Sequence, residues 1–270
     1  MFACHIKVRT DSELAARQID FIAQDAAQNF PIARKFVWEV QAADKQFLLF
    51  DQSEPCGVVS DPWTLTYELI WRIHGRVFDN LPGYVRIHAG CAEYHGRRFL
   101  VVGDSGAGKS TLLIRLLYEG FRVDGDEMVM LRETKTIPFP RRFHIKETGL
   151  NLLPQIKPHL ETAPFIERGG RSKIFSFSPV EAGFDWVIDQ REPEVLFFLN
   201  PHHGEKTIVK KCSKHSMVQQ IMPRTYFSNS GDYLKIKEIC RAVDRAACFS
   251  LHIGDLDSAV AVVRDTMEAL

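Results

Sequence analysis

The sequence lacks several features that would place the protein in a specialised class. Its 270 residues carry no net charge and contain no basic block, which argues against nucleic acid or an anionic membrane as a partner. No apolar run exceeds five residues, so no transmembrane helix is expected. The first ten residues contain no apolar segment of signal-peptide length, and we expect a cytoplasmic protein.

Cysteine and histidine are present but form no metal-binding pattern. The six cysteines are scattered without a C-x-x-C pair, and none of the ten histidines lies at zinc-ligand spacing beside two cysteines. Since thiols in the cytosol stay reduced, no disulfide framework is expected either. The remaining composition, 45% hydrophobic and 25% charged, is that of an ordinary globular protein.

Residues 99–120 supply the strongest functional signal. An apolar strand, a glycine-rich turn and an apolar-faced helix follow one another, and the turn fits the phosphate-binding pattern G-x-x-x-x-G-K-[ST], the P-loop. Glycines let backbone N–H groups point at phosphate oxygens, Lys109 adds a cation, and the Ser110 hydroxyl can hold Mg²⁺. We therefore expect a nucleoside-triphosphate site, with ATP and Mg²⁺ as ligands. Its loop residues are Gly103, Asp104, Ser105, Gly106, Ala107, Gly108, Lys109, Ser110 and Thr111.

Three carboxylates interrupt the next apolar strand. Asp124, Asp126 and Glu127 lie among apolar residues, where burying them is costly unless they hold a cation or share a proton. One short helix separates them from the P-loop, and a βα unit can bring the strand end back to the loop. We expect one carboxylate to hold Mg²⁺ and another to take a proton from a nucleophile; a solvated turn is the alternative.

Two further regions could contribute to the site. His88 is expected in a strand beside Ala89 and Gly90, small residues that let another group approach closely; a core role and a catalytic role fit it equally well. Residues 132–185 are rich in loops, which often contact substrate. Four basic residues of this segment could reach phosphate or could be surface cations: Lys146, Arg168, Arg171 and Lys173.

The rest of the chain predicts the scaffold. Residues 1–60 suggest short strands and one helix, a small N-terminal α+β subdomain without catalytic candidates. Asp61 and Pro62 open a helix with apolar residues at spacing four, and residues 85–102 form a hairpin. We expect an α/β protein with a mixed sheet, divided into that subdomain and a catalytic domain over residues 61–270.

Three segments together resemble the catalytic domain of HPr kinase/phosphorylase, which shares its nucleotide-site architecture with phosphoenolpyruvate carboxykinase. They are Ile87-His88-Ala89-Gly90, the P-loop of residues 103–110, and the strand of residues 120–127, in the family's order and spacing. The resemblance covers roughly residues 60–270. It implies a P-loop core like the C-terminal domain of HPr kinase.

The resemblance also implies roles for the candidate residues. Residues 103–111 would bind ATP, and Ser110 with Asp126 would hold Mg²⁺. Asp126 and Glu127 match the family's aspartate pair, one member of which deprotonates the acceptor hydroxyl. His88 matches the histidine beside that pair, Lys109 would act on the β-phosphate side, and Lys146 falls near the site.

The implied activity is that of an ATP-dependent serine kinase, a transferase whose acceptor is an unidentified hydroxyl-bearing protein, peptide or small molecule. Related kinases assemble into oligomers, so a homo-oligomer is one expectation. Two departures argue against HPr as acceptor and against a reverse phosphorylase reaction: Glu127 replaces an aspartate, and residues 143–148 replace a Glu-x-Arg-Gly pattern.

Two other functions stay open at this point. One is a P-loop ATPase of transport or regulatory type, although no L-S-G-G-Q segment follows the loop. The other is a non-catalytic nucleotide-binding sensor or adaptor. A GTPase is disfavoured because no N-K-x-D segment follows.

Overall fold

The computed structural model describes residues 4–24, 26–28, 34–81, 83–167, 172–226 and 232–270. The chain divides into two compact units. Unit 1 comprises Met1–Pro82, Arg141–Leu150 and Ile156–Phe184, and unit 2 comprises Gly83–Pro140, Asn151–Gln155 and Asp185–Leu270. The protein is of the mixed α/β class, as predicted.

Helices and strands are numbered along the whole chain. In order they are β1 (Cys4–Thr10), α1 (Glu13–Ile22), β2 (Ala27–Gln28), β3 (Arg34–Ala43), β4 (Gln46–Asp51), β5 (Glu54–Val59), α2 (Pro62–Asp79), β6 (Val85–Ile87), β7 (Ala89–Tyr94), β8 (Arg97–Val102), α3 (Lys109–Tyr118), β9 (Arg122–Gly125), β10 (Val129–Arg132), β11 (Lys135–Pro138), β12 (Phe143–Lys146), α4 (Lys157–Leu160), β13 (Phe165–Glu167), β14 (Lys173–Phe177), β15 (Val187–Ile188), β16 (Val195–Pro201), β17 (Ile208–Lys211), α5 (Lys214–Ile221), β18 (Thr225–Tyr226), α6 (Asp232–Arg245), β19 (Ala247–Ile253) and α7 (Leu256–Glu268).

Unit 1 contains two sheets. The first has the strand order β1-β3-β4-β5, in which β1 and β3 are parallel and the other neighbours antiparallel. The second is antiparallel, with the order β12-β14-β13.

Helix α2 begins as the sequence predicts. Asp61 is its N-cap and accepts a hydrogen bond from the N–H of Thr64 at 2.9 Å, and Pro62 occupies the first turn. Its apolar stripe enters the core of unit 1, so this helix packs with the N-terminal strands. Unit 1 therefore includes this helix as well as the residues before it. The stripe and its neighbours are Leu65, Leu69, Ile73, Val40, Phe47 and Leu49.

Unit 2 is organised by a six-stranded mixed sheet. Its order is β17-β19-β16-β8-β7-β9, with β19, β16 and β8 parallel and the remaining neighbours antiparallel. Aromatic rings fill one layer across the parallel strands. The rings of Phe99 and Phe197 meet edge to face and those of Phe197 and Phe249 are stacked, each pair with ring centres 5.7 Å apart. A second, antiparallel sheet has the order β11-β10-β6-β18.

The predicted hairpin around residues 85–102 is present as β7 and β8, joined by a turn at His95 and Gly96. The first strand is interrupted, however, because His88 lies between β6 and β7, and these two strands belong to different sheets. No helix of the described residues is long and apolar enough to span a bilayer.

Candidate functional site

The turn between β8 and α3 has the backbone of a phosphate cradle. Gly106 and Gly108 have φ angles of 83° and 91°, in the left-handed region that glycine tolerates best. A Cβ at either position would meet no atom within 4 Å, so the space beside the loop is open there. Helix α3 begins at Lys109 and directs its free N–H groups toward the turn. This arrangement suits anionic oxygens.

Two glycines let the loop and its helix lie close to the sheet. A Cβ on Gly103 would lie 3.1 Å from the Cβ of Leu199 on β16. A Cβ on Gly90 would lie 2.1 Å from the Cδ1 of Leu113 on α3. Gly90, two residues after His88, therefore makes room for the P-loop helix, which is the group that approaches closely at this point.

Lys109 is buried over the loop. Its Nζ donates hydrogen bonds to the carbonyl oxygens of Gly103 and Asp104, both at 2.9 Å. Burial lowers the pKa of Lys109, while the carboxylates of Glu127, Asp126 and Asp104 oppose that shift. The lysine charge is thus balanced by carboxylates, two of which are the predicted acidic pair.

His88 and the acidic pair meet at the other side of the site. The Nδ1 of His88 lies 2.8 Å from the carbonyl oxygen of Glu127, and 3.7 Å from its Oε1. Because a carbonyl oxygen only accepts, Nδ1 carries the proton in this contact. The two acids differ in burial: Asp126 is 2% exposed, whereas the Glu127 side chain is 33% exposed.

Asp124 has partners of its own and does not share the task of the other two carboxylates. Its Oδ2 accepts from Arg98 at 3.0 Å and its Oδ1 from Arg122 at 2.9 Å. Burial raises the pKa of Asp124, and the two arginines oppose the rise. The indole N–H of Trp186 donates to its backbone oxygen at 2.9 Å. Its charge is compensated by the two arginines, so the expected metal ligand and proton acceptor are sought in Asp126 and Glu127.

Arg224 joins the site although no motif in the sequence selects it. It ends a 3₁₀ turn, Met222–Arg224, and its guanidinium donates to the Asp104 carboxylate at 2.5 Å. Its backbone oxygen accepts from the N–H of His88 at 2.7 Å. The local signal is a single arginine after Pro223, and no sequence pattern links it to a residue 120 positions earlier.

The remaining basic candidates belong to unit 1 or fall outside the described residues. Lys146 ends β12 with an exposed side chain, and its role in nucleotide binding stays a prediction. Lys173 lies over the ring of Phe165 at 4.6 Å and 3.8 Å from Glu167, the contacts of a surface cation. Arg168 and Arg171 are not among the described residues.

The donor set fits Mg²⁺ bound together with a nucleotide. Over the described ranges, no group of three or more His, Cys, Asp and Glu side chains could hold a metal ion by itself. Mg²⁺ at phosphates usually takes only one or two protein ligands and completes its shell with phosphate oxygens and water. Ser110 in the first turn of α3 and the buried Asp126 are donors of that kind.

Comparisons with known proteins give likenesses to solved structures alone. No protein-family model and no curated protein matches the chain. Among solved structures it is similar to the Hpr(Ser) kinase/phosphatase from Coxiella burnetii, at 14% sequence identity, over 68% of this chain and 97% of that one, with a TM-score of 0.33. Because that score is low, arguments about activity rest on the residues of this chain.

Proposed function

We propose that the protein is an ATP-dependent phosphotransferase, a P-loop kinase that transfers the γ-phosphoryl group of ATP to a hydroxyl of a protein, peptide or small molecule. The observation that carries the proposal is a phosphate cradle with Lys109 buried over it and with Asp126 and Glu127 close enough to act on the lysine charge. Carboxylates near a phosphate site repel the ligand unless they hold a cation or accept a proton. Binding of Mg²⁺ with a nucleotide accounts for one of the two carboxylates, and the second is available to accept a proton.

The unequal burial of the two acids supports a division of their tasks. Asp126 is buried and, with Ser110, would hold Mg²⁺, which when bound neutralises charge on phosphate oxygens. Glu127 is partly exposed, so an incoming hydroxyl can reach it and give up its proton. His88 donates Nδ1–H to the carbonyl of Glu127 and so holds the backbone of that residue in position.

The loop would supply the electrostatic part of the reaction. The ammonium group of Lys109 exchanges its two carbonyl partners for outer phosphate oxygens, and the backbone N–H groups of residues 103–110 add fixed donors. Such donors need no rearrangement when charge shifts in the transition state, because the turn and the start of α3 hold them.

The first test is a single-turnover assay with γ-labelled ATP and Mg²⁺ in a lysate of the source cells, with Lys109→Ala protein as control. A labelled protein or metabolite that depends on Lys109 supports the kinase and identifies its acceptor. Label that appears only as free phosphate favours the ATPase. ATP binding without transfer or hydrolysis favours the sensor.

A second test addresses the acidic pair. Glu127→Gln should lower the transfer rate by about 10²- to 10⁴-fold, the usual contribution of a general base. Adding Asp126→Asn should abolish transfer while nucleotide binding stays largely intact. Glu133→Gln makes the same chemical change at an exposed turn and should transfer at the wild-type rate. Full turnover by the double variant would contradict the assignment.

A further inference from the structure

We infer that Arg224 is a phosphate-binding residue that contacts the outer phosphates of the nucleoside triphosphate held by the P-loop, an inference that rests on the proposed nucleotide site. It would be a second cation beside Lys109, contributed from a distant part of the chain.

Arg224 lies at the point where the parts of the site meet. Its guanidinium reaches Asp104, the second residue of the P-loop, and its backbone oxygen accepts from His88. Its positive charge is close enough to Lys109 to lower the pKa of that amine. Two cations repel each other beside the P-loop, whose backbone N–H groups are accessible. A bound polyanion would relieve this repulsion, so the site favours one.

The guanidinium is anchored on the protein side. Its Cζ lies 4.8 Å from the ring centre of Phe198 on β16, and its Nη1 donates to the carbonyl of Gln220 at 2.6 Å. The side chain is only 12% exposed. An arginine held in this way loses little conformational entropy when it binds a ligand. Most of its attraction for phosphate therefore contributes to the binding affinity.

The present partner of Arg224 is held far less firmly. The Asp104 side chain is 76% exposed, so its carboxylate can turn into water when a triphosphate enters. Phosphate repels that carboxylate and attracts the guanidinium, and both effects favour the exchange. The Nε of Arg224 is buried without a hydrogen-bond partner, which leaves a donor available for the forked contact that arginine makes with phosphate.

A structural role is the competing explanation. In that case Arg224 would only clamp the loop through Asp104, and losing either partner would have the same effect. A phosphate-binding role predicts opposite effects for the two residues, because Asp104 then competes with the ligand for the guanidinium.

The experiment is a double-mutant cycle on affinity, which needs no turnover. Calorimetry with the full chain and Mg²⁺ would measure binding of the β,γ-imido analogue of ATP, of ADP and of AMP. Arg224→Gln should lower affinity for the triphosphate by about 10- to 100-fold, the value of a charge-assisted contact, and for AMP by less than about threefold. Asp104→Asn should raise triphosphate affinity, because it removes the competitor for the guanidinium, and Arg224→Gln should still cause its loss in the Asp104→Asn background.

Each contrary outcome has a definite meaning. If Asp104→Asn weakens triphosphate binding as much as Arg224→Gln does, and the double variant binds no more weakly than either, Arg224 only clamps the loop and the inference is wrong. If Arg224→Gln binds the triphosphate as tightly as wild type, the inference about Arg224 is wrong but the proposed function is unaffected. If the wild-type chain binds no triphosphate, both the inference and the proposed function are wrong. Arg224→Lys keeps the charge without the fork and should lie between wild type and Arg224→Gln, which guards against a folding defect in the glutamine variant.

Discussion

The guanidinium of Arg98 donates to the carboxylate of Asp124 at 3.0 Å, and neither side chain has exposed surface. Arg98 lies on β8, which leads into the P-loop, and Asp124 on β9, which leads into Asp126 and Glu127. The two strands flank β7 in the sheet, so this ion pair spans the intervening strand. It joins the two segments that carry the candidate site.

Removing one member of the Arg98–Asp124 pair should destabilise the folded protein. We expect Arg98→Met to lower the free energy of unfolding by about 3–5 kcal/mol, because Asp124 would stay buried with less compensation. Urea denaturation followed by circular dichroism measures the change. Arg97→Met is the matched control: its side chain is 39% exposed, and the expected loss is below about 1 kcal/mol. Equal losses for the neighbouring arginines would refute the structural importance of the buried pair.

Gly90→Ala should displace the P-loop helix. The added Cβ would lie 2.1 Å from Leu113, so α3 or the Leu113 side chain has to move, at a cost of about 1–3 kcal/mol in unfolding free energy. Gly75→Ala is the control, since a Cβ there meets nothing within 4 Å in α2 and should stabilise by about 0.5–1 kcal/mol. Chemical denaturation of both variants should show opposite signs, and a stabilising Gly90→Ala would be inconsistent with this packing.

His74 should make the protein sensitive to acid. Burial lowers its pKa to about 3, and Arg141 adds to the shift. Between about pH 6.5, where the residue titrates in an unfolded chain, and pH 3, the unfolded chain binds a proton that the folded one does not. The stability present above pH 6.5 is therefore lost as the pH falls through this window, by up to about 1.4 kcal/mol per pH unit.

Urea midpoints at several pH values would check this. His74→Gln should flatten the dependence between pH 6.5 and 4.5 without abolishing it, because burial also lowers the pKa of His144. His203→Gln, a change at an exposed histidine, should give the same dependence of the urea midpoint on pH as wild type. An unchanged slope in His74→Gln would contradict the prediction.

The cysteines should react in order of their burial. Burial raises the pKa of Cys91 to about 12 and that of Cys248 to about 11, so neither forms the reactive thiolate near neutral pH. Cys240 is exposed. With iodoacetamide at pH 8 and peptide mass spectrometry, Cys240 should be modified first, and Cys91 and Cys248 only after unfolding in urea. Labelling of Cys91 at the rate of Cys240 would show that the strand pair around it opens in the native state.

The sequence by itself determined the local features of this protein. The strand, turn and helix around residues 97–118, the hairpin of β7 and β8, and the N-cap Asp61 all follow from patterns a few residues long. Side-chain capping, glycine at left-handed positions and apolar periodicity act between near neighbours in the chain, so they can be predicted without tertiary structure.

Only the tertiary structure decided which distant groups meet. The pairings of Arg224 with Asp104 and of Arg98 with Asp124 depend on the tertiary fold, which brings together residues 120 and 26 positions apart. The same holds for α2, whose apolar stripe fits any core until packing assigns it to unit 1. The charge or hydrophobicity of a side chain determines whether it needs an ion-pair partner or an apolar environment. The fold determines which residues provide it, because only packing sets the distance between distant parts of the chain.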